Sequence, residues 1–287
     1  MTAETTETPQ NFYAPDPYVC HIDADAAYAF ARATNDGNER YVSGEAVPPM
    51  FTAQFALGAQ TFGRRPSTPQ PNIIGAPHSV HGEHDVVFRG PVLPGMTLRI
   101  EAELFGAQQT KGGVLSTQRF AFFDEHDALL VEHLWGNFHV GGTIAPDVGT
   151  PVPDHTFPES ARAQPVGNRT VTVDRDQQYR FAGVSNDHAP HAITEAAAHR
   201  EGYPAKILQG MCTFSLASAV LVDLLADGDP HRLRRVAGRF SAPAMAARDF
   251  VVHAYDAGST PDGRPSFAFE GIQDGVVVLK HGRVELT

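Results

Sequence analysis

Hydrophobic and polar positions alternate without a break along residues 97–105. Leu98, Ile100, Ala102 and Leu104 fall on one face and Arg99, Glu101 and Glu103 on the other, the period-2 pattern of a half-buried strand. The stretch from His84 onward reads as sheet. Residues 114–123 and 128–138 continue as strands across the turn Asp124-Glu125-His126-Asp127. Near the start, Asp23 is placed to cap a helix whose apolar face is Ala27, Phe30 and Ala31, and Thr34-Asn35-Asp36-Gly37-Asn38 ends it. Val47-Pro48-Pro49 breaks the chain before an apolar segment over residues 50–62. In the second half, a strand starts near Val171 and Val173, and others are expected at 236–241, 249–255, 266–270 and 276–286. Between them, residues 211–225 are apolar around most of a helical circumference, which predicts a helix buried on all sides. Gly228 and Pro230 stop it. A short helix precedes it, opening at Thr194 with Glu195 in its first turn and closing with His199, Arg200 and Gly202.

The two halves repeat each other. Phe88-x-x-Pro91-Val92-Leu93 answers Phe240-x-x-Pro243-Ala244-Met245 at an offset of 152; Gly113 answers Gly263, and Asp124 answers Asp274, at 150. The loop Asp36-x-Asn38-x-x-Tyr41 is matched to Asn186-x-His188-x-x-His191, also at 150. The organisation expected is a disordered tail (1–17), a first unit (18–143), a proline-rich linker (144–168) and a second unit (169–287). Each unit is a helix followed by antiparallel sheet, and the whole is a covalent pseudo-dimer.

Charge and composition narrow the partners. With 22 Lys and Arg against 33 Asp and Glu, the net charge of -11 argues against general binding of nucleic acid or anionic membranes. Two cysteines, Cys20 and Cys212, make no disulfide framework. The first residues lack the apolar core of a signal peptide, and no apolar run of about 18 residues appears, so a cytoplasmic protein without a membrane span is expected.

Candidate chemistry gathers in one loop. Asn186, Asp187, His188 and His191 sit ahead of the short helix, and Gln209-Gly210 opens the buried one. His188-x-x-His191 lacks the further ligands of a zinc site, and His78-x-x-His81-x-x-His84 would alternate faces in a strand, so no metal is expected. Cys212 reads as core filler.

The polar loop with His, the Gly202-Tyr203-Pro204 turn and Gln209-Gly210 before a buried helix resemble the MaoC-like, or R-specific enoyl-CoA hydratase, family. Ala46-Val47-Pro48-Pro49, His81-Gly82-Glu83 and the segment from Arg89 to Gly95 resemble that family's N-terminal unit. The resemblance implies an α+β double hot-dog fold, two repeats each with an antiparallel sheet wrapped around a buried helix. It implies a hydratase or dehydratase of acyl thioesters carried on CoA or a carrier protein, needing no cofactor and acting as a monomeric pseudo-dimer or a homodimer. A tailoring enzyme that isomerises or cyclises, or a thioesterase, is the alternative on the same fold. The family pattern Asp-x-Asn-Pro-x-His admits two registers here. One sets His191 on the family His and leaves Asn186 at the Asp; the other sets Asp187 on the Asp and leaves Ala192 at the His. The offset of 150 favours the first. By the resemblance, His191 would be the acid–base group, helped by Asn186, Asp187 or His188. The Gly210 N–H would hold the thioester oxygen, with Gln209 where the family has His. Asp36, Asn38 and Tyr41 would form a degenerate first-half copy.

Overall fold

The computed structural model describes residues 18–61 and 71–287; the expected tail at 1–17 and the end of the segment at 50–62 lie outside them. The first half runs β1 (Tyr18–His21), α1 (Ala24–Ala33), α2 (Glu39–Val42), α3 (Ala53–Thr61), β2 (Ser79–Phe88), β3 (Thr97–Thr110), β4 (Gly113–Phe123), β5 (Leu129–Val140) and a two-residue β6 (Val148–Gly149). The second runs β7 (Pro165–Val171), α4 (Gln177–Ser185), α5 (Pro190–Ile193), α6 (Glu195–Arg200), α7 (Gly210–Leu225), β8 (Leu233–Phe240), β9 (Phe250–Ser259), β10 (Pro265–Gln273) and β11 (Val276–Leu286).

One antiparallel sheet carries both halves in the order β1-β3-β4-β5-β2-β8-β11-β10-β9-β7, with β6 beside β3. The order is symmetric about its centre: each first-half strand except β6 has its counterpart at the mirrored place in the second. The seam is β2 against β8, and Asp85 pairs there with Ala237, the residue 152 positions further on. A pseudo-twofold axis therefore passes through that pair. Arg235 bonds Asp85 at 2.8 Å and Arg239 bonds Glu83 at 2.9 Å, so the buried carboxylates of the seam are each matched by a guanidinium. The fold is a double hot-dog.

Its core forms because the alternating strands present one apolar face each and α7 presents nearly all of its circumference, Asp223 alone being exposed. Phe214, Leu216, Ala217 and Leu221 of α7 are fully buried, and α7 packs on β7, β8 and β9. One apolar cluster joins Phe30, Phe51, Phe122, Phe181, Phe214 and Phe269 across the two halves. The expected caps are present: Asp23 accepts a hydrogen bond from the N–H of Ala26 at 2.8 Å, and Thr194 accepts from that of Ala197.

Several elements differ from expectation. Strand β2 begins at Ser79, five residues before His84. A strand, β7, starts at Pro165 inside the stretch read as linker; β7 lies at the edge of the sheet, bonded to β9, where the proline is tolerated. Helix α4 forms just ahead of the polar loop, in a stretch for which the pattern predicts no element. Its N-cap Asp176 makes no side-chain capping bond, and it contains Gly183 and Val184, so it has little local signal. Packing holds it instead: Phe181 meets Phe30 of α1 edge-on at 5.7 Å, across the pseudo-axis.

Candidate active site

The polar loop is built by the way α4 ends. Ser185 closes the helix by donating from its hydroxyl to the carbonyl of Phe181 at 2.7 Å. Asn186 then turns left-handed, with φ of 59°, which Asn tolerates better than most residues. Its side chain faces solvent. Asp187 follows, half-buried, and its Oδ1 accepts from the N–H of Ala189 at 3.1 Å. Pro190 sets the first position of the one-turn helix α5, which carries His191.

The first half repeats this construction residue for residue. Thr34 donates to the carbonyl of Phe30 at 3.0 Å, Asn35 is left-handed with φ of 55°, and Asp36 accepts from the N–H of Asn38 at 3.1 Å before α2 begins. Asn35 and Asn186, Asp36 and Asp187, and the bounds of α2 and α5 are each separated by 151 positions. The offset of 150 assigned to this loop is thus one residue short. The match of Asp36 to Asn186 and of Tyr41 to His191 is replaced by Asp36 to Asp187, Arg40 to His191 and Tyr41 to Ala192. Asn186 is the turn residue, and the carboxyl of this loop is that of Asp187.

Burial raises the Asp187 carboxyl above its usual range, while the N–H of Ala189 and the nearby His191 and His188 imidazoles pull the other way. Its charge also reaches Cys212 in the first turn of α7, whose buried thiol is pushed far up, chiefly by desolvation. Cys212 is wholly buried and inert as a nucleophile. His188 is exposed. His191 keeps a quarter of its side chain exposed, and its Nδ1 lies 2.7 Å from Oε2 of Glu201, with the Tyr203 ring edge-on at 5.6 Å. A carboxylate–imidazole pair is therefore present, but its carboxylate is Glu201, which the sequence reading did not single out. The available signal was its position: an acid at the C-cap of α6 sits at the unfavourable end of the helix dipole.

Gln209 joins loop and helix. Its Nε2 donates to the carbonyls of Asp187 and Gln178, both at 3.0 Å, while its buried Oε1 has no partner among the described residues. Gly210 is the first residue of α7, and its N–H is one of the donors that a helix start leaves free of intrahelical bonds. A Cβ added at Gly210 would lie 3.4 Å from Nδ1 of His81 and 3.4 Å from the Phe240 ring. His81 itself stacks on Trp135, centroids 4.1 Å apart. The helix start is thus walled by β2, β5 and β8 of the seam, so both halves contribute to it.

The first-half residues lie elsewhere. Asp36 and Asn38 share an open cleft with Leu216, Val220 and Asp223, further along α7 than Gly210. Burial raises Asp36 to about 6, with Asp223 adding to the effect. Tyr41 is buried, and its hydroxyl has no hydrogen-bond partner among the described residues. No group of three or more His, Cys, Asp or Glu among the described residues is arranged to hold a metal. No described helix is long and apolar enough to cross a membrane.

The family model that matches the chain falls on the same part of it. Residues 157–256, which include the polar loop and α7, match the model of the MaoC like domain. The chain carries a MaoC-like domain. A MaoC-like dehydratase from Phytophthora capsici superposes with a TM-score of 0.81 at 20% identity, covering 94% of each chain. Peroxisomal multifunctional enzyme type 2 of Drosophila melanogaster is 25% identical over 84% of this chain, which spans only 40% of that relative's length. Peroxisomal enoyl-CoA hydratase 2 of Arabidopsis thaliana is 24% identical over 73% of this chain and 69% of its own.

Proposed function

We propose that this MaoC-like protein adds water across the α,β double bond of an enoyl thioester, or removes it from the 3-hydroxyacyl thioester in reverse. One observation carries the reading: the Asp187 carboxyl and the His191 imidazole stand on a loop that Gln209 ties to the free N-terminus of a buried helix. The β-carbon accepts a nucleophile only while the thioester oxygen takes up negative charge, and an unpaired N–H at a helix start stabilises that charge. The Gly210 N–H fills that role. Asp187 and His191 hold the water between them. As the C–O bond forms at the β-carbon, one of them takes the proton released by the water, and a proton is delivered to the α-carbon. Glu201 fixes the His191 ring through Nδ1, and no described residue bonds its Nε2, which is left available for the proton transfer.

CoA is the carrier that the relatives support, since the Arabidopsis protein is named for action on enoyl-CoA. The test is to follow loss of enoyl-thioester absorbance with a series of enoyl-CoA and enoyl-carrier substrates. Turnover that falls by about 10³ in His191→Ala is expected from the loss of a general acid–base group. Absence of turnover on every such substrate, or a His191→Ala variant equal to wild type, rejects the reading. Release of free thiol, seen with a thiol reagent, would reassign the site to a thioesterase.

A further inference from the structure

A row of three imidazoles, His84 and His133 fully buried and His81 partly so, runs through the seam and ends beside Gly210. His81 Nε2 lies 3.2 Å from His84 Nδ1, His84 Nε2 lies 2.9 Å from His133 Nδ1, and His133 Nε2 lies 2.9 Å from the Thr52 hydroxyl. In a regular strand His81 and His84 would face opposite sides. They meet because the β2–β5 ladder slips between His81 and Glu83, a bulge that returns both rings to one face. Gly82 permits it: a Cβ there would fall 2.8 Å from Cβ of Phe138 on β5. His84 and His133 are fully buried.

Burial pushes His81 and His133 down to about 3, with the Glu83 backbone acting against it at His81, and holds His84 well below the usual range. All three rings are therefore neutral, with one donor and one acceptor nitrogen each. Rings linked nitrogen to nitrogen in series must then all point the same way. The direction is set at Thr52. Its hydroxyl has no hydrogen-bond partner among the described residues other than His133 Nε2. If His133 donated, the buried Thr52 hydroxyl would be left without an acceptor, at a cost of about 1–3 kcal/mol. So Thr52 donates to His133, His133 Nδ1–H to His84, and His84 Nδ1–H to His81 Nε2. That leaves the hydrogen of His81 on Nδ1, the atom facing Gly210.

Resting on the hydratase reading above, we propose that His81 Nδ1–H is a second donor to the thioester oxygen, beside the Gly210 N–H, and that Thr52 is a positioning residue that fixes its tautomer through His133 and His84. Trp135 and Phe240 hold the ring, at centroid distances of 4.1 and 4.7 Å. The first half thereby supplies a group to the second half's reaction.

Two independent readouts test this. Long-range ¹H–¹⁵N correlation on histidine-labelled protein should show His81, His84 and His133 as Nδ1–H tautomers, with Thr52→Ser keeping that pattern and Thr52→Val reducing the His81 share. His81 observed as Nε2–H in the wild type overturns the proposal. In the hydration assay, His81→Phe, which keeps the stack on Trp135, should lower kcat by about 10²-fold with KM within threefold, the loss typical of one oxyanion donor. Turnover within threefold of wild type overturns it. Should the wild type hydrate no enoyl thioester, the hydratase reading falls, and binding decides the donor. His81→Phe should weaken an acyl-CoA thioester by at least fivefold more than the matching thioether, which lacks the carbonyl. Equal effects on the two ligands overturn the donor role.

Discussion

Acidification probes the buried histidines without touching a residue. In the folded chain His81, His84 and His133 stay neutral well below the usual imidazole range, because burial disfavours their charged forms. Once unfolded, each titrates near pH 6.5, so the unfolded state binds more protons between pH 6.5 and about 3, and stability falls as pH drops through that window. At pH 5.5 each ring costs about 1.4 kcal/mol relative to pH 7.5, and three cost about 4 kcal/mol. Asp36 works the other way: its folded carboxyl, raised to about 6, holds a proton that the unfolded state has lost, which returns a little under about 1 kcal/mol. The lowered His139 and His281 and the raised Asp187 and Asp85 oppose one another. The expected net loss is roughly 3 kcal/mol, read from urea unfolding at the two pH values with an unchanged m-value. A stability at pH 5.5 within about 1 kcal/mol of that at pH 7.5 would refute the neutral, buried row.

Gly210→Ala should leave the fold as stable or up to about 1 kcal/mol more so, since Ala suits a helix better than Gly and the new Cβ meets only ordinary contacts; turnover should nonetheless drop about 10²-fold, because that Cβ fills the space beside His81 Nδ1. Gly82→Ala forces the bulge against Phe138 and should cost about 1–3 kcal/mol in thermal or urea unfolding, with His81 losing its bond to His84. Asp36→Asn keeps an acceptor for the Asn38 N–H but removes a carboxylate that burial disfavours. It should stabilise the protein by about 3 kcal/mol at pH 7.5 and by much less at pH 4, where wild-type Asp36 is protonated in the folded state.

The fold was legible because two strong signals agree. Period-2 alternation marked the strands, and repeated turn residues marked the duplication, which the seam pair of Asp85 and Ala237 places on a pseudo-axis. The site was legible only in part. Matching the loops by chemical type put Tyr41 opposite His191, whereas the backbone matches them by their left-handed residues, Asn35 and Asn186. That one-residue slip transferred the acid's place from Asp187 to Asn186. The His81–His84 contact was invisible to a rule of strict alternation, because a bulge cancels it and only Gly82 hints at the bulge. Helix α4 was hidden because Phe30, distant in sequence, stabilises it. The chain's one tryptophan, Trp135, marks the wall of the site, and nothing in its local pattern says so.

The assignment of the acid to Asp187 is most directly tested by enoyl-CoA hydration in two adjacent variants. Asp187→Asn should lower kcat by about 10³-fold, the loss of a group that handles the proton, while Asn186→Gly, at an exposed left-handed turn, should leave kcat within twofold of wild type. Full activity in Asp187→Asn together with a collapse in Asn186→Gly would contradict the account.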